Sequence, residues 1–272
     1  MITILVLLLI LILCFGVYLF LIMPRVKDVA DMDLLCTEYA HRGLWDSNTP
    51  ENSMSAFMLA KERGYGIELD VRITKDGELV VFHDESMARM CGVNQRVRNL
   101  TLAEIKQLTL PNGESIPTLI EVLTMVEGKV PVLIEIKASG KAVPLCRRLA
   151  ALLDRYNGAF AIESFNPKLL AWFKQYRPRY ARGQLLTRVD VGRTSGAPDS
   201  SLICFALSHM LLNFFSRPDF IAIDGRHMQE PSFRLLSLLF RPKIFVWTVR
   251  TAKQYRACRT RGYFTIFEQI RP

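Results

Sequence analysis

Two carboxylates stand two residues apart in the apolar segment Ile67-Glu68-Leu69-Asp70-Val71. Acidic and aliphatic residues alternate there, which predicts a β-strand whose successive side chains point to opposite faces. Glu68 and Asp70 therefore share one face of the strand. The chemistry that this pair supports depends on the other polar groups that the fold brings to the same face.

The turn after this strand brings a histidine back towards the pair. Asp76-Gly77 is a strong hairpin signal, and it predicts that residues 79–82 return antiparallel to the acidic strand. If the loop consists of those two residues, counting back places Asp70 opposite His83. A histidine at that position could transfer protons beside the two carboxylates.

Further polar groups fall at the ends of other apolar segments. In VLIEIK, Glu135 and Lys137 are two residues apart and share a face of a strand. His41 and Arg42 directly follow a strand candidate that ends at Ala40. Glu135 and Lys137 could also form a plain ion pair across a barrel, so the residues alone leave both interpretations open.

The elements that must position these residues alternate along the chain. After residue 36, short apolar segments alternate with helix-like stretches, several of which begin at Ser, Thr, Asn or Pro. The strand candidates are residues 38–40, 66–71, 79–82, 132–137, 159–164, 182–186, 220–224, 244–249 and 264–268. The alternation predicts an α/β fold with parallel strands, and the number of units favours a (β/α)8 TIM-type barrel. Residues 79–82 are then an additional strand, and the active site of such a barrel lies at the C-terminal ends of its strands.

The first residues form a segment of a different kind. The apolar run MITILVLLLILILCFGVYLFLIM is long enough to cross the hydrocarbon core of a bilayer, about 30 Å. A cleaved signal peptide is the alternative, but no basic residue precedes the run and no Ala-x-Ala site follows it. We expect a transmembrane anchor over residues 1–24, a juxtamembrane linker over residues 25–37 and a barrel over residues 38–272. Arg25 and Lys27 follow the run, so the positive-inside rule predicts a cytoplasmic barrel.

Composition narrows the class of protein. The chain has 272 residues, of which 50% are hydrophobic, and a net charge of +9. Its basic residues are spread out rather than interleaved with aromatic residues in a run, so we expect attraction to anionic membrane lipids and no nucleic-acid partner. Six cysteines occur without a C-x-x-C pair, which argues against a zinc site and is typical of free thiols in a reducing compartment.

Two segments, AHRGLWDSNTPENSMSAF and GIELDVRITKDGELVVFHD, together resemble the glycerophosphodiester phosphodiesterase family. The family's pattern is His-Arg-Gly, then Pro-Glu-Asn, Glu-x-Asp-Val, Thr-x-Asp-Gly and His-Asp. Later segments of the chain are similar as well, namely IPTLIEVL, IEIK, ESFN and WTVR. Each piece alone is weak, but the ordered set is specific and extends over about residues 38–272.

The resemblance implies a metal site. Glu68, Asp70 and Glu135 match the family's ligands for a divalent cation. Ligands that are all carboxylates favour Mg²⁺ or Ca²⁺ over Zn²⁺. A cation would also offset the repulsion among three acids at one end of a barrel, which otherwise raises their pKa values.

The resemblance also implies catalytic and substrate-binding residues. His41 and His83 match the family's acid/base pair, and Arg42 and Lys137 match its phosphate contacts. Trp247 would line the substrate pocket, although a tryptophan in the barrel core is a close alternative. The remaining histidines belong to no motif and are expected to be structural.

The activity implied is metal-dependent hydrolysis of glycerophosphodiesters to glycerol 3-phosphate and an alcohol, at the membrane surface. A tethered barrel could also reach lysophospholipids, so a lysophospholipase D type cleavage that yields lysophosphatidic acid is the alternative. A catalytically silent binder of lipid headgroups is a more remote alternative, because no ligand or histidine of the pattern is substituted. The sequence leaves open the headgroup alcohol, the nucleophile and the oligomeric state.

Two positions depart from the family's pattern. Arg89-Met90-Cys91 stands where the family often has Arg-Thr-Thr, in a small inserted segment that we expect to cover the substrate as a lid. Glu268 stands where the last strand commonly ends in Asp. Neither position is a proposed metal ligand, so these departures are expected to alter the choice of substrate rather than activity.

Overall fold

The computed structural model describes residues 1–25, 32–137, 140, 142–189 and 200–272. Eight parallel strands form a closed barrel, because β1 pairs with both β2 and β9. The strands are β1 (Tyr39–Ala40), β2 (Gly66–Ile73), β3 (Leu79–Val81), β4 (Val132–Ile136), β5 (Phe160–Ser164), β6 (Ala181–Leu186), β7 (Phe220–Asp224), β8 (Lys243–Val249) and β9 (Phe264–Phe267). Of the strands in these described ranges, only β3 is antiparallel, and it pairs with β2 outside the ring. The predicted barrel is confirmed, and both ends of each predicted strand lie within two residues of the observed ends.

In the described part of the chain, two helices precede β1 and the others lie between consecutive barrel strands from β1 to β9. They are α1 (Ile2–Ile22), α2 (Met32–Leu35), α3 (Met54–Glu62), α4 (Ala88–Cys91), α5 (Leu102–Ile105), α6 (Leu119–Val126), α7 (Ala142–Leu153), α8 (Pro167–Tyr176), α9 (Ser201–Ser208), α10 (Asn213–Ser216), α11 (Pro231–Phe240) and α12 (Ala252–Thr260). Local sequence explains several boundaries. Thr118 and Thr251 each begin a helix with a capping box, and Asn166 caps α8 ahead of Pro167.

The two faces of the barrel strands differ in chemistry. Outward-facing residues such as Ile67, Leu69 and Val71 are fully buried against the surrounding helices. Inside the barrel, apolar side chains such as Tyr39 and Phe245 pack together, and Met32 and Leu35 of α2 join this cluster. The inner side chains near the other end of the strands are acidic. The apolar packing therefore forms a base from which the acidic residues project.

The hairpin of β2 and β3 has a different register from the predicted one. Arg72 pairs with Val80, and the backbone N–H of Phe82 donates to the carbonyl oxygen of Asp70 at 2.9 Å. The prediction that Asp70 faces His83 is therefore wrong by one residue. The turn is longer than two residues, because the backbone N–H of Thr74 donates to the carbonyl oxygen of Glu78 at 2.9 Å.

An inserted segment follows this hairpin. It contains α4, α5 and a short 3-10 helix at Val97–Asn99, before α6 resumes the alternation of strands and helices. Its apolar side chains form a cluster separate from the main core, which includes Met87, Ile105 and Ile116 and continues onto Phe82. The cluster holds the segment against the hairpin that ends at His83.

The N-terminal helix α1 is long and apolar enough to cross a membrane, a test that a signal sequence also passes. Most of its side chains are exposed, and only its last turn packs on the barrel, against α10. Arg25 also contacts the barrel, whereas Lys27 lies outside the described residues. The division into anchor, linker and barrel stays a prediction.

Candidate active site

The loop after β1 places His41 and Arg42 at the C-terminal end of the barrel. The backbone N–H of His41 donates to the carbonyl oxygen of Phe267 at 2.9 Å, which fixes the loop to β9. Arg42 and Gly43 both have positive φ, +59° and +82°. A Cβ atom at Gly43 would lie 2.8 Å from Cβ of Ala56, so only glycine fits there. The His-Arg-Gly segment is thus a tight turn that presents both side chains to the barrel mouth.

Three carboxylates meet beside this loop. Glu68, Asp70 and Glu135 each offer one oxygen, and these oxygens lie within 4.8 Å of one another. All three residues are buried, and Asp70 on β2 lies beside Glu135 on β4 in the strand register. The next strand, β5, adds Glu163, which lies beside Glu135 in the strand register and is 1% exposed. The sequence prediction that the first three carboxylates converge is in agreement with these positions.

Two cations offset part of this negative charge. The Lys137 ammonium lies 2.6 Å from Glu135 Oε1 and 3.2 Å from Asp70 Oδ1. Nε of Arg42 lies 3.4 Å from Asp70 Oδ2, and its backbone N–H donates to Glu68 Oε2 at 2.9 Å. The arginine also donates to Glu51 Oε1 at 2.9 Å. Both cations therefore contact the acidic cluster and face the space above it.

Burial and charge separate the acids into two groups. Burial, followed by the charge of Asp70, raises the pKa of Glu68 well above its usual value. Burial also raises the pKa of Glu135 and of Glu163. Burial alone would raise the pKa of Asp70 as well, but Lys137 and Arg42 outweigh it and lower that pKa. The two cations therefore favour the ionised form of Asp70, whereas burial disfavours the ionised forms of the three glutamates.

The donor set fits a hard divalent cation. Among the described residues, Glu163 Oε2 is buried without a hydrogen-bond partner, and the buried oxygens Asp70 Oδ1 and Glu135 Oε1 are approached by the ammonium of Lys137. Buried carboxylate oxygens normally have such a partner. Three convergent carboxylates with free acceptor positions could bind a metal ion, and oxygen ligands match those of Mg²⁺ and Ca²⁺.

His41 is held by a carboxylate on the far side of its ring. Its Nδ1 lies 2.9 Å from Glu268 Oε2, while its Nε2 points to the acidic cluster, 4.0 Å from Glu68 Oε2. The other oxygen of Glu268 accepts a hydrogen bond from Nε of Arg250. Burial lowers the pKa of His41, against the opposing effect of the bond to Glu268. The ring therefore has one nitrogen fixed and one facing the site.

His83 is held in a similar way. Its Nδ1 lies 2.7 Å from Asp84 Oδ1, and Asp84 also accepts a hydrogen bond from Nε of Arg89 at 2.6 Å. Arg89 belongs to the inserted segment and pairs with Glu51 as well, at 2.5 Å. Burial lowers the pKa of His83 to about 4, against the opposing charge of Asp70. The imidazole is consequently neutral near pH 7.

A cavity of about 270 Å³ connects these groups. Its walls include His41, His83 and Lys137 on one side and Trp247 on another. The indole Nε1–H of Trp247 donates to the carbonyl oxygen of Ala222 at 2.9 Å, which leaves its ring exposed to the cavity. All eight residues predicted for the site line this cavity or, in the case of Asp70, bond to residues that do.

Several groups at the site were not predicted as functional. Asn52 is buried with a φ of +55°, and its amide donates to Asp70 Oδ2 at 2.9 Å. Glu51, Asp84 and Glu163 also contact the site, and Glu268 was noted only as a departure. Each of these residues stands inside or beside a motif or departure quoted above, so its position in the sequence was the signal that could have identified it.

The two histidines outside the motifs lie elsewhere. His209 and His227 line a separate cavity of about 390 Å³ beside Leu186. Leu185 lines the acidic cavity, and neighbouring residues of a strand face opposite sides, so this second cavity lies outside the barrel. His209 Nδ1 lies 3.0 Å from Ser232 Oγ, a bond consistent with the structural role predicted for it.

Comparisons with known proteins agree on one family. The model described as the glycerophosphoryl diester phosphodiesterase family matches residues 41–267. A glycerophosphodiester phosphodiesterase of Caldanaerobacter subterraneus is 42% identical over 159 residues, 54% of this chain and 65% of that protein. The match thus spans slightly less than two thirds of that relative.

Solved structures share the fold. A glycerophosphodiester phosphodiesterase of Thermotoga maritima is 28% identical, with a TM-score of 0.65 over 85% of this chain and 94% of that one. An Oleispira antarctica phosphodiesterase in complex with the product sn-glycerol-3-phosphate is 22% identical, with a TM-score of 0.69 over 85% of this chain and 92% of that one. At this lower identity, the second likeness concerns the fold alone.

Proposed function

The chain belongs to the glycerophosphoryl diester phosphodiesterase family, and we propose that it hydrolyses glycerophosphodiesters to glycerol 3-phosphate and an alcohol. One observation carries the proposal. Three buried carboxylates that could bind a metal ion stand in a single cavity with two histidines and two cations, on the open end of the barrel. Hydrolysis of a phosphodiester requires this combination, because the negative charge of the phosphate must be stabilised and two protons must be transferred.

Glu68, Asp70 and Glu135 would hold the divalent cation, Mg²⁺ or Ca²⁺. When bound, the cation withdraws charge from the non-bridging oxygens of the phosphodiester. Asn52 supports this site by holding Asp70 Oδ2, which leaves Asp70 Oδ1 directed towards Lys137. A fixed ligand of this kind is typical of metal sites, in which surrounding hydrogen bonds orient the carboxylates.

Arg42 and Lys137 would bind the phosphate of the substrate. Both are largely buried, with side chains 17% and 15% exposed, so their charges act at low dielectric. In this structure each of them is paired with the acidic cluster. Arg42 is also tied to Glu51, whose second partner is Arg89 of the inserted segment. Glu51 therefore links the phosphate-binding loop to the proposed lid.

His41 and His83 would share the two proton transfers. One takes a proton from the nucleophile, which is water or a neighbouring hydroxyl of the substrate, and the other protonates the leaving alkoxide. Each ring has its Nδ1 beside a carboxylate, Glu268 or Asp84, so Nε2 is the nitrogen available to the substrate.

Glu163 would contact a hydroxyl group of the substrate. It lines the cavity, its Oε2 has no aligned hydrogen-bond partner among the described residues, and burial keeps its pKa well above the usual value. A neutral carboxyl can both donate and accept a hydrogen bond, which suits a glycerol hydroxyl. Trp247 lies across the same cavity, packed edge-on against Phe165 at 5.7 Å, and would provide an apolar wall for the substrate.

We further propose that α1 is an uncleaved membrane anchor and that the barrel lies on the cytoplasmic side. Arg25 follows the helix, and Lys27 lies two residues further along the sequence. This location favours lysophospholipids as a second class of substrate, because a tethered barrel stands beside the bilayer that contains them. A lysophospholipase D type cleavage would use the same metal ligands and histidines.

The test is an assay of the full chain in lipid nanodiscs. Glycerophosphocholine and lysophosphatidylcholine are supplied separately with Mg²⁺ or Ca²⁺, and glycerol 3-phosphate and lysophosphatidic acid are measured. The variant Glu68→Gln removes one ligand, and Glu104→Gln removes an acid from the surface of the inserted segment as a matched control. We expect glycerol 3-phosphate from the wild type and from Glu104→Gln, and none from Glu68→Gln. Lysophosphatidic acid as the main product would replace the first substrate class by the second, and product formation by Glu68→Gln would refute the metal site.

A further inference from the structure

The last turn of α1 is fixed to the barrel rather than tethered loosely. Arg217 Nη1 donates to the carbonyl oxygens of Phe20 and Met23, at 2.9 Å each. The side-chain amide of Asn213 donates to the carbonyl oxygen of Ile22 at 3.0 Å. The helix has 21 residues, about 31 Å at 1.5 Å per residue, which matches the hydrocarbon core of a bilayer. Groups that contact its last turn therefore lie at the depth of the lipid headgroups.

Four cationic side chains meet at this position, and we call them the cationic junction: Arg25, Lys174, Arg182 and Arg217. Among the described residues, two of the four are paired with a carboxylate, that of Asp219, which lies 3.1 Å from Nε of Arg25 and 3.7 Å from Nη2 of Arg182. Within the described part of the chain, the cationic junction thus has more positive than negative charge.

Among the described residues, the hydrogen-bond acceptors for the side chains of Lys174 and Arg217 are carbonyl oxygens. Lys174 Nζ donates to the carbonyl oxygen of Phe215 at 2.9 Å, at the end of α10. Carbonyl groups at a helix C-terminus carry partial negative charge, which offsets a fraction of one unit charge and no more. Burial, followed by the charges of Arg217, Arg182 and Arg25, lowers the pKa of Lys174. These cations repel one another in the absence of further anions.

Aromatic rings flank the cationic junction on the side of α1. The guanidinium of Arg217 lies 4.4 Å from the ring centroid of Phe20, and Phe20 lies 6.3 Å from Phe214. Phe215 is 49% exposed although no polar group of its own requires solvent. Cations next to exposed aromatic rings at the end of an apolar helix are typical of the membrane interface.

A purely structural role is the simpler alternative, since each cation also caps a helix end or a loop carbonyl. That role explains the position of Arg217 but not the accumulation of four cations around one carboxylate of the described residues. In a half-buried setting, uncompensated charges of one sign are costly, and an anion from outside the chain removes the cost.

We propose that the cationic junction binds the phosphate of an anionic phospholipid in the leaflet where α1 ends. The proposal rests on the membrane location proposed above for α1. Lys174 and Arg217 are half-buried and would contact the lipid phosphate, whereas Arg182 is fully buried and adds positive potential while it positions Asp219 through its backbone N–H, at 2.9 Å. Bound lipid would hold the barrel in one orientation on the bilayer.

The test uses the full chain in nanodiscs that contain phosphatidylcholine with roughly one phosphatidylglycerol in three lipids. The protein is released into mild detergent, and native mass spectrometry measures the enrichment of phosphatidylglycerol over phosphatidylcholine among the lipids that remain bound. Lys174→Gln removes one cation of the junction. Lys106→Gln is the matched control, because Lys106 Nζ also donates to a backbone carbonyl, that of Ile116 at 2.9 Å, and lies in the inserted segment.

We expect enrichment in the wild type and in Lys106→Gln, and an approximately fivefold lower enrichment in Lys174→Gln, the change for one basic side chain at an anionic surface. Equal enrichment in the two variants would overturn the proposal, as would a chain that does not insert into nanodiscs. Arg217→Lys keeps the charge with fewer donors and should retain most of the enrichment. The measurement is independent of turnover, so an inserted but inactive chain would refute the proposed hydrolysis and not this lipid site.

Discussion

The bond between His41 and Glu268 provides the sharpest test of the proposed proton transfers. The two side chains are 13% and 7% exposed, so solvent screens their interaction little. Glu268→Gln keeps an oxygen that can accept from His41 Nδ1 but removes the negative charge. A charge-assisted hydrogen bond exceeds a neutral one by about 1 to 2 kcal/mol. If that energy stabilises the imidazolium in the transition state, kcat falls roughly five- to thirtyfold.

The assay separates this effect from a general loss of structure. Steady-state kinetics with glycerophosphocholine should show a lower kcat for Glu268→Gln with an unchanged KM, and thermal unfolding should show an unchanged midpoint. Glu268→Ala removes the acceptor altogether, so the ring of His41 can adopt the wrong tautomer and kcat should fall further. Glu268→Asp restores the charge and should recover part of kcat. A wild-type kcat in Glu268→Gln, or a change in KM alone, would refute the positioning role of Glu268.

Three other predictions concern the metal site, the second histidine and the loop after β1. Glu68→Gln should abolish metal binding in isothermal titration calorimetry; retained affinity would exclude Glu68 as a ligand. His83→Gln should lower kcat by roughly 10²- to 10⁴-fold and leave metal affinity unchanged, and a loss of metal would contradict its role in proton transfer. Gly43→Ala should destabilise the fold in urea unfolding by about 1 to 3 kcal/mol and raise KM, because the new Cβ meets Ala56 at 2.8 Å. Gly77→Ala is its control, since Gly77 has a φ of +92° but no neighbour within 4 Å of the added atom; an equal loss in both variants would show that backbone strain alone is responsible.

The nine strands of the described residues, and the parallel order of the eight that form the barrel, could be predicted from the chain alone. In a strand that is buried on its outer face and polar on its inner face, side-chain polarity alternates with a period of two. Helices with capping residues lie between such strands and mark where each strand ends. Glu68 and Asp70 share a face for this local reason, and Glu135 and Lys137 do so as well. The ordered motifs also identified the family, whereas the roles of the two histidines and the two cations stay predictions.

Tertiary structure decided the contacts between distant segments. The turn after Thr74 is longer than the Asp76-Gly77 signal indicates, and this moved the register of the hairpin by one residue. Glu268 was visible as a departure from a pattern, but its bond to His41 joins residues 227 positions apart. No local periodicity reports such a pair, because closure of the barrel brings the first and last strands together.

The sequence by itself determined which residues face the barrel interior, because side-chain alternation is a property of each strand. It also determined that the N-terminal segment is long and apolar enough to cross a membrane. Only the tertiary structure decided what balances the buried acids, namely Lys137 and Arg42, and where the last turn of α1 meets the barrel. Charge compensation depends on distances of a few ångströms between separate elements, and packing sets those distances.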